Sequence, residues 1–174
     1  MQDILDVIVS RRSIKKFKPQ MVEKEKIEKI LKAGMYAPSG MNKQSPIILA
    51  VTNKDVRDKL SKLCASLRND PTFDPFYGAP VVLTVLADKS VFTNVYDGSC
   101  VMENMLLEAH SLGLGACWIH RAKEMFETKE GKQILKDAGV VGDFEGIGNC
   151  VVGYPDMQIV NDLKRKDNYV YFIE

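Results

Sequence analysis

Arg11-Arg12-Ser13-Ile14-Lys15-Lys16-Phe17 sets guanidinium groups, ammonium groups and a hydroxyl side by side near the start of the chain. Such groups suit a phosphate, because a guanidinium grips two of its oxygens at once. If the segment is helical, Arg11 and Lys15 share a face by i, i+4 spacing. If it is extended, Arg11, Ser13 and Lys15 alternate onto one side. Both conformations bring Arg11 and Lys15 together. A solvated basic face at the end of a helix explains the same residues.

A second cluster, Ala37-Pro38-Ser39-Gly40-Met41-Asn42-Lys43-Gln44-Ser45-Pro46, supplies hydroxyls and amides that both donate and accept hydrogen bonds. An amide-rich heterocycle requires that mixture, and an ordinary helix-terminating turn uses the same residue types. The third cluster is Gly113-Leu114-Gly115-Ala116-Cys117-Trp118-Ile119-His120. Its glycines permit close backbone approach, and Trp118 offers a stacking surface. The spacing begins as G-x-G, but helix precedes strand, the reverse of a dinucleotide fingerprint. Gly146-Ile147-Gly148 lies inside a strand pattern, so no Rossmann site is expected. His120 is a candidate acid or base, or a structural residue beside a strand end. His110, in the middle of a helix, receives no role. Lys164-Arg165-Lys166 precedes the last apolar stretch and serves equally as a solvated linker.

No serine or cysteine nucleophile is singled out by its flanks. Cys64, Cys100, Cys117 and Cys150 are scattered without C-x-x-C spacing. The reading is mostly buried small hydrophobes in a reducing compartment and no metal site.

The elements that must position these clusters follow from periodicity. Ile4, Leu5, Ile8 and Val9 predict a helix ending near Arg11, and Ile27, Ile30, Leu31 and Met35 a second, stopped by Pro38-Ser39-Gly40. Ile47 to Val51 reads as a strand. Asn53 caps a helix whose inner face is Val56, Leu60, Leu63 and Leu67. Residues 68–80, with Pro71, Pro75 and Pro80, are irregular. The apolar run Val81 to Ala87 suits a strand covered on both faces. Val101, Met105, Leu106, Ala109 and Leu112 mark a long helix closing at Gly113 or Gly115. Then come a strand, Ala116 to Ile119, an amphipathic stretch to Ala138, and a strand within Gly146 to Gly153. Tyr169 to Ile173 is aromatic and β-branched, a last strand behind the charged stretch 161–168. That placement suggests pairing with another subunit's sheet. The class is α+β, a central sheet flanked by helices.

The chain has 174 residues and a net charge of +1. It fits a single domain, 1–174, with a core large enough to need no staple. The charge offers no general attraction to nucleic acid or membrane, so any anion site is local. No basic n-region and no long apolar run occurs, and a cytoplasmic location is expected.

In order and spacing, the clusters resemble the FMN-dependent nitroreductase family. The resemblance runs from Arg11–Phe17 through Ala37-Pro38-Ser39, Asn42, Gln44 and Pro46, then Asn104-Met105-Leu106-Leu107-Glu108-Ala109 into Gly113-Leu114-Gly115, and ends at Gly153-Tyr154-Pro155 and the basic tail. It implies a central mixed sheet and an intertwined homodimer with an exchanged C-terminal strand. Two FMN sites would lie at the subunit interface. By similarity, Arg11, Arg12, Ser13 and Lys15 hold the phosphate, ribityl chain and pyrimidine edge from one subunit. Pro38, Ser39, Gly40 and Asn42 come from the other. Trp118, Ile119 and His120 lie along the flavin, with the His120 backbone N–H near N5, and Lys164 and Arg165 complete the phosphate site. The implied activity is transfer of hydride from NADH or NADPH, a transient co-substrate, to a nitroaromatic or quinone-like acceptor by a ping-pong mechanism. The flavin carries the chemistry and no catalytic side chain is required.

Overall fold

The computed structural model describes residues 3–68, 70, 72–159 and 164–174. Pro71 and part of the charged stretch ahead of the tail lie outside the described residues. Helix α1 (Ile4–Ser10) starts where Asp3 accepts the Leu5 N–H, at 3.1 Å. Helix α2 (Lys24–Met35) buries Ile27, Ile30 and Gly34. Asn53 caps α3 (Lys54–Ser66), accepting the Val56 N–H at 3.1 Å as its residue type predicts, and Leu60 and Leu63 face the core. The long helix α4 (Asn94–Ser111) ends before Gly113, whose φ of +74° reverses the chain. The amphipathic stretch to Ala138 forms two helices, α5 (Ala122–Glu127) and α6 (Lys129–Asp137). Thr128 divides them. Its hydroxyl accepts the Gly131 N–H and so starts α6 where α5 has stopped.

Strands β1 (Pro46–Val51), β2 (Val81–Asp88), β3 (Gly115–Ile119) and β4 (Phe144–Gly153) form one antiparallel sheet in the order β1-β2-β4-β3. Burial follows the alternation of β2. Val81, Leu83, Val85 and Ala87 pack with Ile30, Met102 and Met105 of α2 and α4 on one face. Val82 and Leu86 pack with Leu60, Phe76 and Met125 on the other. Thr84 interrupts that second face, and its hydroxyl donates to the Asn149 amide oxygen at 2.7 Å. Register slips between Val85 and Leu86, opposite Gly146-Ile147-Gly148. A Cβ on Gly146 would lie 2.3 Å from the Ala122 carbonyl, and one on Gly148 2.5 Å from Trp118 Nε1. These glycines let α5 and the indole press against the strand.

The basic segment is an extension of the sheet. Ser13 bridges Ala116 in parallel, the one parallel contact among the described residues, and Ile14 N–H donates to the Ala116 carbonyl at 3.0 Å. Phe17 bridges Pro155, and Lys18 N–H donates to the Tyr154 carbonyl while Asp156 N–H donates to that of Lys16, both at 2.9 Å. Ile14 and Phe17 anchor the segment in the core. The expected strand 169–173 is not formed within the protomer. Asp167–Tyr169 makes a short 3-10 turn, Val170 is extended, and the side chains from Tyr169 to Ile173 are exposed. β-propensity alone makes no strand without an edge to pair with.

A Cβ on Gly115 would stand 2.8 Å from Ile14 Cγ1 and 2.9 Å from its Cβ. Gly115→Ala should therefore lift the basic segment off β3 and cost about 1–3 kcal/mol, measured by urea unfolding. Ile14→Ala in the same chain removes Cγ1 and Cγ2 but keeps Cβ, so it should relieve only part of the loss caused by the glycine replacement. Wild-type stability of the single Gly115→Ala variant would contradict this docking.

Candidate functional site

The extended alternative holds for the basic cluster. Arg11, Ser13 and Lys15 all act on one thiol: each favours the thiolate of Cys117. Burial is the larger influence and pushes the Cys117 thiol up. Arg11 Nε is shielded from solvent yet has no hydrogen-bond partner among the described residues, with the Glu103 carboxylate 3.9 Å away. Arg12 Nη1 donates to the carbonyls of Val9 and Arg11 at 2.7 Å, which steers its guanidinium back over the end of α1. Lys15 is exposed, and its backbone N–H donates to Met157 Sδ at 3.3 Å. The structure thus joins Arg11, Arg12, Ser13 and Lys15 in one cationic corner beside β3.

His110 is bonded into this corner, contrary to the sequence reading that gave it no role. Its Nε2 lies 2.8 Å from Ser10 Oγ, one residue before Arg11. Burial, then Arg11 and Arg12, lower its pKa from 6.5.

The loop of Pro38, Ser39, Gly40 and Asn42 is held by a residue the sequence reading missed. Asp97, buried in the first turn of α4, accepts the Gly40 N–H at 2.9 Å, the Ser45 hydroxyl at 2.8 Å and the Thr93 hydroxyl at 3.0 Å. Burial drives its pKa upward, but these three bonds outweigh it and leave the carboxyl below its ordinary 3.8. The grip matters because Met41, Asn42 and Gln44 have φ of 51°, 53° and 49°, the left-handed region that costs side-chain-bearing residues about 1–2 kcal/mol each. Ser39 Oγ accepts the Gln44 N–H at 3.0 Å, and Asn42 accepts the Gln44 amide at 3.3 Å. Ala37, Pro38, Ser39 and Gln44 line a cleft of about 400 Å³ along β1, closed by α2. Within the protomer, Arg11, Ser13 and Lys15 share no hydrogen bond or ion pair with residues 38–44 among the described residues.

Trp118 is half-buried, Ile119 buried and His120 exposed, at the end of the strand that carries Ala116. The Asn149 amide donates to the Ile119 carbonyl at 3.4 Å, fixing this edge. Lys164 and Arg165 are exposed and make no hydrogen bond or ion pair with another described residue. Cys64, Cys117 and Cys150 are buried and Cys100 is exposed. No metal-binding cluster occurs among the described residues, and no described helix is long and apolar enough to cross a membrane.

Residues 8–138 match the Nitroreductase family. A protein of Archaeoglobus fulgidus, named for an NADH dehydrogenase or NAD(P)H nitroreductase, is 33% identical over 161 residues, 89% of this chain and 87% of its own length. One of Methanothermobacter thermautotrophicus with the same name is 36% identical over 120 residues. That match spans 67% of this chain and 60% of the relative. In three dimensions, a Bacteroides fragilis nitroreductase with bound FMN superposes with a TM-score of 0.91, at 26% identity, over 100% of both chains.

Asp97→Asn should loosen the 38–45 loop and cost about 1–3 kcal/mol at neutral pH, the scale of bonds to a buried charge. The sign follows from the lowered pKa. The carboxylate's contribution is complete above the unfolded value and is lost as pH falls through the folded one. The stability gap between wild type and variant, read by urea unfolding, should therefore close below about pH 3.8. A gap independent of pH would remove the carboxylate from this role.

Proposed function

The chain belongs to the nitroreductase family, and on that footing we propose that it is an FMN-dependent NAD(P)H oxidoreductase reducing nitroaromatic or quinone-like small molecules. One observation carries the cofactor reading: the partly exposed guanidinium of Arg11 has no hydrogen-bond acceptor among the described residues, in a corner with Ser13 and Lys15 and next to Arg12. A phosphate dianion supplies the missing acceptor oxygens. The FMN held by the structurally similar B. fragilis nitroreductase supports the same choice.

On this reading residues 1–174 form one FMN-binding domain. Arg11, Arg12, Ser13 and Lys15 bind the phosphate, ribityl chain and pyrimidine edge, and Lys164 and Arg165 close over the phosphate. Trp118, Ile119 and His120 wall one side, with the His120 backbone N–H directed at the ring. Bound FMN supplies hydride transfer. The chain's cations neutralise the phosphate and the negative charge that accumulates at the pyrimidine edge on reduction. The sequence has no dinucleotide-binding fingerprint, so NAD(P)H docks briefly and leaves. The acceptor then uses the same opening, which gives ping-pong kinetics.

The unit is a homodimer. Pro38, Ser39, Gly40 and Asn42 of the partner subunit complete each site, in keeping with the lack of any hydrogen bond or ion pair between them and Arg11 among the described residues. Among the described residues β1 has one neighbour in the sheet and is lined by two clefts, and the exposed tail from Tyr169 to Ile173 is an apolar, β-prone segment suited to that edge. Each tail would therefore cross to the partner's sheet. A cytoplasmic location is part of the same reading.

The purified protein should be yellow, and mass spectrometry of the cofactor released on denaturation should give FMN. NADH or NADPH should bleach it in a stopped-flow cell. FAD, or a colourless protein that ignores added FMN, would refute the cofactor reading. Bound FMN that neither nucleotide reduces would make the protein a flavin store or sensor instead.

A mixed dimer tests the shared site. One subunit carries Arg11→Ala with Lys15→Ala, the other Ser39→Ala with Asn42→Ala. One of the two sites then receives all the defects and its mate receives none, because a two-fold interface repeats each site. Tagged heterodimers should bind about half the wild-type FMN, whereas each parent homodimer is damaged at every site. Heterodimers no better than their parents would place the whole site within one subunit.

A further inference from the structure

Directly behind the arginine pair, Ser10 Oγ donates to the Asp6 carbonyl at 2.5 Å and thereby uses its single proton. The 2.8 Å contact with His110 then has the imidazole as donor, so Nε2 carries the hydrogen. A second proton would enter at Nδ1 and leave this bond intact. The link ties α4 to the last residue of α1, from which Arg11 and Arg12 project.

The charges around the ring are unbalanced. Arg11 and Arg12 are the charged groups that act on it, and both oppose its protonation. On its own helix, Glu103 lies 3.9 Å from Arg11, and Glu108 accepts from Ser111. From α2, Lys29 and Lys32 line a separate cleft with Glu108. From β3, the Cys117 thiol is held protonated by burial. Asp6 reaches the link through its backbone carbonyl.

Resting on the FMN reading above, we propose that His110 is a positioning residue for the FMN phosphate. Through Ser10 it fixes the end of α1 that carries Arg11 and Arg12, and it takes up a proton when a phosphate dianion neutralises those arginines. In the free protein, burial and the two cations keep the ring neutral below its ordinary range. A dianion bound to the arginines cancels the cationic part, and the ring's pKa rises. Binding then takes up protons between the two pKa values, so the histidine favours FMN more strongly as pH falls through that interval. Protonation of the phosphate itself, whose second pKa is about 6, works in the opposite direction and is common to wild type and variants.

The test is titration of FMN into apoprotein, followed by quenching of flavin fluorescence, for wild type, His110→Gln and His110→Leu. At about pH 8 the leucine variant should bind roughly five- to tenfold more weakly, the scale of one lost hydrogen bond of about 1–1.5 kcal/mol. Glutamine, whose side-chain amide can donate to Ser10, should recover most of that loss. Glutamine does not titrate. The ratio of its Kd to that of wild type should rise about twofold or more between roughly pH 8 and 5.5, because proton uptake on binding strengthens only the wild type as pH falls. Histidine NMR should show the His110 resonance titrating at higher pH with FMN bound than without. A constant ratio together with the same titration in both forms would overturn the coupling. Wild type that binds no FMN at any pH would instead overturn the cofactor reading, and this inference with it.

Discussion

The hydrogen bond from Ile14 N–H to the Ala116 carbonyl is the constraint on which the site depends. With the bridges at Ser13 and Phe17 it turns a chain segment between two helices into an added strand at the sheet edge. Strand alternation then separates the work of neighbouring residues. Ile14 is driven into the core, while Ser13 and Lys15 stay outside with Arg11. Burial of Ile14 and Phe17 holds together cations that repel one another. A protein of net charge +1 thus concentrates positive potential at one corner without becoming a basic protein.

The second half of the site depends on a different device. Residues 41–44 contain three backbone conformations that side chains disfavour. A buried carboxylate supplies what the loop cannot supply for itself, gripping the Gly40 N–H and the Ser45 hydroxyl from α4. One corner is therefore built by extending the sheet and the other by restraining a turn. Both are fastened to α4, through His110 near its end and Asp97 at its start.

What the sequence reveals here is what short-range physics decides. Asn53 caps α3 because its side chain reaches an amide three residues on, and the unbroken apolar run of β2 follows from cover on both faces. Whether residues 11–15 are helical or extended is decided by Ala116, far along the chain, and no local pattern carries that information. Asp97 and His110 were missed for the same reason. An acidic residue in a first helical turn and a lone histidine near a helix end are ordinary locally, and gain meaning only from Gly40 and Ser10 across the fold. Thr128 could have been read as a cap within the amphipathic stretch, but helical periodicity on both sides masked it. The tail residues have the composition of a strand, yet composition does not supply an edge.

The glycines of β4 bear on how genetic screens of this protein would be interpreted. Gly146 and Gly148 are sites where one methyl group would collide with the Ala122 carbonyl or the Trp118 indole. Almost every codon change there should abolish accumulation of folded protein. In a growth-based survey of all substitutions they would stand out as sharply as Arg11, although neither belongs to the proposed cofactor site. Only a survey that scores abundance alongside turnover would separate residues the chemistry requires from residues the packing requires.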